Sequence, residues 1–196
     1  MEFDRAKMLE EHAKAAVNLY GVIPLDEWAA IFSEHHGDHV TENDIAFLRG
    51  RSGPSFYIHE GDLVQFSLGH DAFSGIAPLK AQTQGKPRYI PERDEFLKHA
   101  VLGYFEWTPQ IGEVDAFVRG KMGLDGESAK GMVDQVALLC MSGAEIREML
   151  PVLTDRVQSD EQLFDLLPLV SEVHNHTRLW INKGHTPDEL MEMQYS

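Results

Sequence analysis

Cysteine is almost absent. Cys140 stands alone among 196 residues, which excludes an intrachain disulfide and a cysteine-rich zinc site and points to a reducing compartment. Positive charge is scarce as well: 17 Lys and Arg face 32 Asp and Glu, a formal net charge of −15. That balance opposes approach to phosphate backbones and anionic lipid, so nucleic acid is a disfavoured partner. No apolar run approaches the roughly 20 residues needed to span a bilayer. The opening Met1-Glu2-Phe3-Asp4-Arg5 reads as a charged helix start instead of an export segment. A cytoplasmic protein without membrane contact is expected, and the glycosylation-like triplet Asn175-His176-Thr177 is then accidental.

What is present is ordinary for a folded chain: 43% hydrophobic and 25% charged residues suffice for one domain or two small ones. The spacing predicts a helix from Asp4 to Leu19 and a second from Leu25 to His35, where Leu25, Trp28, Ala29 and Phe32 share one face and Gly37 stops it. Val22-Ile23-Pro24 reads as a connector. Thr41 caps a third short helix that ends at Gly50. Ser55–Ile58 and Leu63–Leu68 flank Glu60-Gly61-Asp62 as a β-hairpin. Three helices and a hairpin give a winged-helix-like N-terminal part over 1–70. The Gly-, Ser- and Gln-rich stretch that follows predicts a loop or linker over 71–88. An all-α C-terminal part is expected over 89–196, with helices at about 91–103, 110–121, 127–141, 144–150, 160–183 and 187–193. The fold class is therefore mainly α.

Chemistry-bearing motifs are weak. His35, His36 and His39 straddle the helix-ending Gly37, which leaves them in a mobile turn poorly arranged for a metal. His174 and His176 point to different sides of a helix. Gly120, Gly123 and Gly126 lack the spacing of a phosphate-binding loop, and Cys140 in an apolar run reads as a small buried hydrophobe. No metal and no cofactor are expected. Arg49 and Arg51 are the residues a winged helix would offer to DNA, but Glu42, Asp44, Glu60 and Asp62 offset them. The most specific stretch runs from Asn175 to Leu190. Asn175, Arg178 and Asn182 lie near one helical face there, and the Gly184-His185-Thr186-Pro187 turn reverses the chain into the last helix. Asn175, Arg178, Asn182 and His185 form the candidate binding set; turn chemistry and packing of Trp180 are the competing structural explanation.

That stretch, together with the Asn-Leu-Tyr-Gly-Val-Ile-Pro-Leu-Asp run from Asn18 to Asp26, resembles a family of uncharacterised bacterial proteins, some members of which carry a C-terminal SEC-C zinc motif. The resemblance covers most of the chain and implies no established activity. With a single cysteine and no SEC-C motif, this chain departs from the longer members, and zinc-dependent binding is not carried over. The expectation is a non-enzymatic protein-interaction or regulatory module whose partner is another protein, with self-association into a homo-oligomer left open. Two alternatives stand beside it: a DNA-binding winged-helix regulator, and a metal-dependent hydrolase whose histidines the fold assembles.

Overall fold

A computed structural model describes residues 3–51, 53–69 and 75–195. The protein is mainly helical with a small three-stranded antiparallel sheet. No helix among the described residues is long and apolar enough to cross a membrane. The chain divides into two compact units, Met1–Tyr104 and Phe105–Ser196. The boundary expected between 70 and 71 falls outside the described residues. The expected linker instead contains a helix, and the division between units comes at 104/105.

In the first unit, α1 (Phe3–Tyr20) is followed by β1 (Val22–Pro24), α2 (Leu25–His36), α3 (Glu42–Gly50), β2 (Phe56–His59), β3 (Asp62–Gln65), α4 (Ile76–Thr83) and α5 (Arg93–Lys98). From Ala15 to Tyr20 every residue of α1 is buried, because α2, α3, α5 and the sheet all pack on it. Its apolar residues consequently surround the axis instead of forming a stripe. Thr41 and Asp44 close a reciprocal capping box at the start of α3, and Gly37 ends α2 at φ 66°. The hairpin turns through Glu60 and Gly61, both at positive φ, the geometry that matches strand twist. β1, expected as a connector, adds to β3 with Ile23 opposite Leu63, giving the sheet order β1-β3-β2.

The segment after the sheet belongs to this unit because its side chains are needed there. Ile76 and Leu79 of α4 are buried, and Phe96 of α5 lies fully inside the core with Leu9, Trp28 and Phe32. Side chains of α1 and α2 bind its backbone: Tyr20 Oη donates to Tyr89 O at 2.7 Å and Asn18 Nδ2 to His99 O at 2.8 Å. Arg88 reaches Glu27 at 2.6 Å while its guanidinium stands 4.5 Å from the Tyr20 ring centre. The helix expected over 91–103 is shorter, ending at Lys98 before a turn through Gly103 at φ 75°.

The second unit is all-α: α6 (Pro109–Gly120), α7 (Gly126–Ser142), α8 (Ile146–Thr154), α9 (Asp160–Asn175) and α10 (Pro187–Gln194). Its core joins Val114, Val118, Met132, Val136, Met149, Leu166 and Val170. Cys140 is fully buried among them, which pushes its thiol up to about 12, and it packs as a small core side chain. α9 runs through Pro168 but stops at Asn175, where Thr177 Oγ1 donates back to Val173 O at 2.7 Å; the helix expected to reach Lys183 gives way to a single 3-10 turn at Trp180–Asn182. Gly143 caps α7 at φ 85°, and a Cβ there would lie 3.2 Å from Ile181 Cγ2. Gly143→Ala is expected to cost this unit about 1–2 kcal/mol. Gly123→Ala, at φ 67° with nothing within 4 Å, should cost less, and the difference between their urea midpoints isolates the Ile181 contact.

Candidate interaction surface

The C-terminal turn is built around one cation. After α9, Lys183 and Gly184 adopt successive positive φ values of 51° and 84°, reversing the chain. Thr186 then caps α10 in a capping box with Glu189, and Pro187 takes the first helical position. Arg178, with a side chain only 13% exposed, spans the reversal. Its Nε donates to Glu106 Oε1 at 2.8 Å, and its Nη1 donates to Gly184 O at 3.1 Å and to Glu189 at 3.0 Å. Glu189 also accepts from the Thr186 N–H and faces His185 Nδ1, each at 3.2 Å. Burial raises the Glu189 pKa, but the Arg178 charge and the hydrogen bonds from Thr186, Arg178 and His185 outweigh it, holding the carboxyl below its ordinary range.

Of the four candidate residues, the fold therefore brings Arg178 and His185 onto one carboxylate. Asn182 is buried in the turn, and Asn175 hydrogen-bonds His174 at the end of α9. Sequence reading missed Glu106, which lies 72 positions from Arg178, and did not single out Glu189. With its donors committed to two carboxylates and a carbonyl, Arg178 works as a clamp. What it clamps is the start of α10, to which His176 adds a contact with Asp188 at 3.3 Å.

Beyond its fixed start, α10 buries none of its residues. Met191 and Met193 are 56% and 52% exposed, and Tyr195 just past the helix 86%. Asp188, Met191, Glu192 and Tyr195 fall at i, i+3, i+4 and i+7, one helical face, and line a shallow surface depression of about 520 Å³.

Carboxylates accompany the cations around the residues of the nucleic-acid alternative. Arg51 stacks over Phe47 at 5.3 Å and lies 4.0 Å from Glu10. Asp44, nearly buried, takes Arg5 through contacts of 3.1 and 2.7 Å, an interaction that pulls its carboxyl down to about 2. Lys14 is paired with Glu10 at 2.7 Å and Lys7 with Glu11 at 3.8 Å along the groove between α1 and α3. Arg49 is exposed.

His35 and His36 form the last turn of α2, not a mobile turn, and meet a histidine that spacing does not suggest: fully buried His12 of α1. His35 Nε2 lies 3.0 Å from Pro91 O, a pure acceptor, so that nitrogen carries the proton. His35 Nδ1 then accepts from His12 Nε2 at 3.2 Å. This leaves His12 Nδ1 buried with no partner among the described residues, enclosed by the rings of Trp28, Phe32, His36 and Phe96. Burial, then His35 and His36, drive the His12 pKa down to about 2. Among the described residues no group of three or more His, Cys, Asp or Glu could hold a metal ion. Compared with protein-family models, with curated proteins and with solved structures, the chain has no match.

Proposed function

We propose that the protein is a non-enzymatic interaction module of the cytoplasm, binding another protein through its C-terminal unit. One observation carries this reading: a helix locked at its first turn by Arg178, Glu189 and His176, yet leaving Met191, Met193 and Tyr195 in water. Ordering those side chains has no packing return within the chain, whereas a partner covering them supplies it.

The element order α1-β1-α2-α3-β2-β3, with β1 beside β3, supports a winged-helix-like reading of this unit. It favours DNA binding as the second reading. The pairing of Lys7 and Lys14 with glutamates of α1, and the approach of Arg51 to Glu10 of the same helix, argue for a scaffold instead. Capture experiments with the intact protein, with and without nuclease, separate the two. The expected outcome is a nuclease-resistant protein partner lost about tenfold or more with Met191→Ser/Tyr195→Ser. Nucleic acid retained by the wild type and released by Arg49→Glu/Arg51→Glu would replace this reading with the DNA-binding one.

A further inference from the structure

We propose that the segment from Arg88 to Ala100 is an acid-released strap, latched onto α1 and α2 by the His12–His35 pair and freed when those rings take up protons. Its attachment differs from that of the other elements of the unit. The segment contributes no strand to the three-stranded sheet, and α5 closes local backbone bonds, with Phe96 N–H donating to Glu92 O and Ala100 N–H to Leu97 O. Side chains of α1 and α2 hold it by its carbonyls: Tyr20 binds Tyr89 O, His35 binds Pro91 O and Asn18 binds His99 O. Phe96 closes over the His12 ring, with centroids 4.5 Å apart. Arg88, paired with Glu27, tethers the near end, and Gly85 and Gly103, both at positive φ, bracket the whole. Such a segment can swing away while the sheet and the helices beneath it stay folded.

The latch is a chain of two rings. His35 Nε2–H donates to Pro91 O, and His35 Nδ1 accepts from His12 Nε2–H. A first proton, entering at half-buried His35, displaces the His12 proton from Nε2 to Nδ1, which has no partner among the described residues and faces a cage of aromatic rings. A second proton has no place, because two N–H groups would then oppose each other across 3.2 Å. With the strap open, water reaches both imidazoles and both protons are accommodated.

The surrounding charges do not rescue the closed form. Burial is the main cause that holds both rings below their ordinary range; His35 and His36 add to it at His12. At His35, Glu34 of α2 and Glu92 of the strap oppose burial and Arg93 reinforces it. Arg5 of α1, 6.0 Å from the Phe32 ring, is already bound to Asp38 and Asp44. Opening is therefore suppressed above about pH 6.5 and grows as pH falls through that value. It uncovers a wall of the core that includes Leu9, Trp28 and Phe32, so acid exposes an apolar surface that neutral pH conceals.

Native-state hydrogen exchange of the intact protein in low urea, at pH 7 and pH 5 after correction for intrinsic rates, tests this. Amides of Phe96, His99 and Ala100, bonded within the strap, should exchange through an opening with weak urea dependence, whereas those of β3 require one with steep dependence. Between the two pH values the strap opening should grow about 25-fold for one freed histidine and about 600-fold for both. His12→Phe keeps a ring under Phe96 and should return the rise to about 25-fold, and His12→Phe/His35→Phe should remove most of it. Strap and sheet amides that share one urea-dependent opening would overturn the proposal. So would a separate strap opening that pH leaves unchanged, or one whose pH response survives the double substitution.

Discussion

Acidification from pH 7 to pH 4.5 is expected to remove about 3 kcal/mol from the stability of the Met1–Tyr104 unit through His12 alone. The folded chain holds this imidazole neutral, with a pKa pushed from 6.5 down to about 2. The unfolded chain takes up its proton near pH 6.5, so stabilisation is complete above that value and declines as pH falls through it. Two pH units below it the unfolded state has gained about 2 × 1.4 kcal/mol, whatever the depth of the folded value. His35 and His36, lowered chiefly by burial, add in the same direction. Glu34 and Glu92 beside His35 oppose the shift, and Arg93 reinforces it. Asp44 contributes in a different window: its stabilisation is present above about pH 4 and is lost only as pH falls towards 2. Hydrogen exchange resolved by segment, at pH 7 and 4.5 after correction for intrinsic rates, measures the change in each unit. His12→Phe keeps a ring among Trp28, Phe32 and Phe96 and cannot titrate, so its loss between the two pH values should be smaller by about 3 kcal/mol. Parallel losses in wild type and variant would refute the assignment, as would a His12 ring resonance that titrates above pH 5.

Arg178→Ala is expected to lower the stability of the Phe105–Ser196 unit by about 2–3 kcal/mol, below the roughly 3–5 kcal/mol for breaking a fully buried ion pair. The discount follows from Glu106 and Glu189, whose side chains are 37% and 34% exposed and regain some hydration when the guanidinium is lost. Arg178→Lys should recover less than half. An ammonium on a single stem cannot meet Glu106, Gly184 O and Glu189 together as the planar fork does. Urea denaturation gives the magnitude, and faster exchange of α10 amides locates it. A loss below about 0.5 kcal/mol, typical of an exposed pair, would show that the clamp is not what holds the helix. Comparison with Glu189→Gln and the double variant should give strong non-additivity, since both side chains act in one network.

Much of the local architecture was legible because its causes are local. Thr41, Thr186-Pro187 and Gly37 announce helix ends through hydrogen-bonding capacity and permitted φ, and all three do so in the structure. Glu60-Gly61 announces the hairpin in the same way. β1 escaped because three residues carry no periodicity; it becomes a strand through β3, some 40 positions later. Ile76 and Leu79 were obscured by the Gly- and Gln-rich sequence around them, and Phe96 reads as a tertiary anchor only once α1 is in place. The end of α9 depended on competition within one turn, where Thr177 satisfies Val173 O and the chain departs.

The candidate turn shows the same divide. Arg178 and His185 were singled out by residue type, and they do converge, but on Glu189, a carboxylate that sequence reading did not single out. Glu106 had no sequence trace. His12 was missed because adjacent histidines drew attention to spacing along one helix, whereas its partner His35 lies on another, 23 positions away.

The enclosure of α1 governs how this chain can be cut and inherited. A fragment ending just after the hairpin would retain α1, α2, α3 and the three-stranded sheet but strip Phe96, Tyr89 and Leu97 from the first helix. It would also leave Asn18, Tyr20 and His35 without the carbonyls of His99, Tyr89 and Pro91. Such a piece would carry an apolar wound along α1, prone to aggregation. Recombination can therefore exchange this unit as residues 1–104 more readily than as the shorter part that its element order suggests.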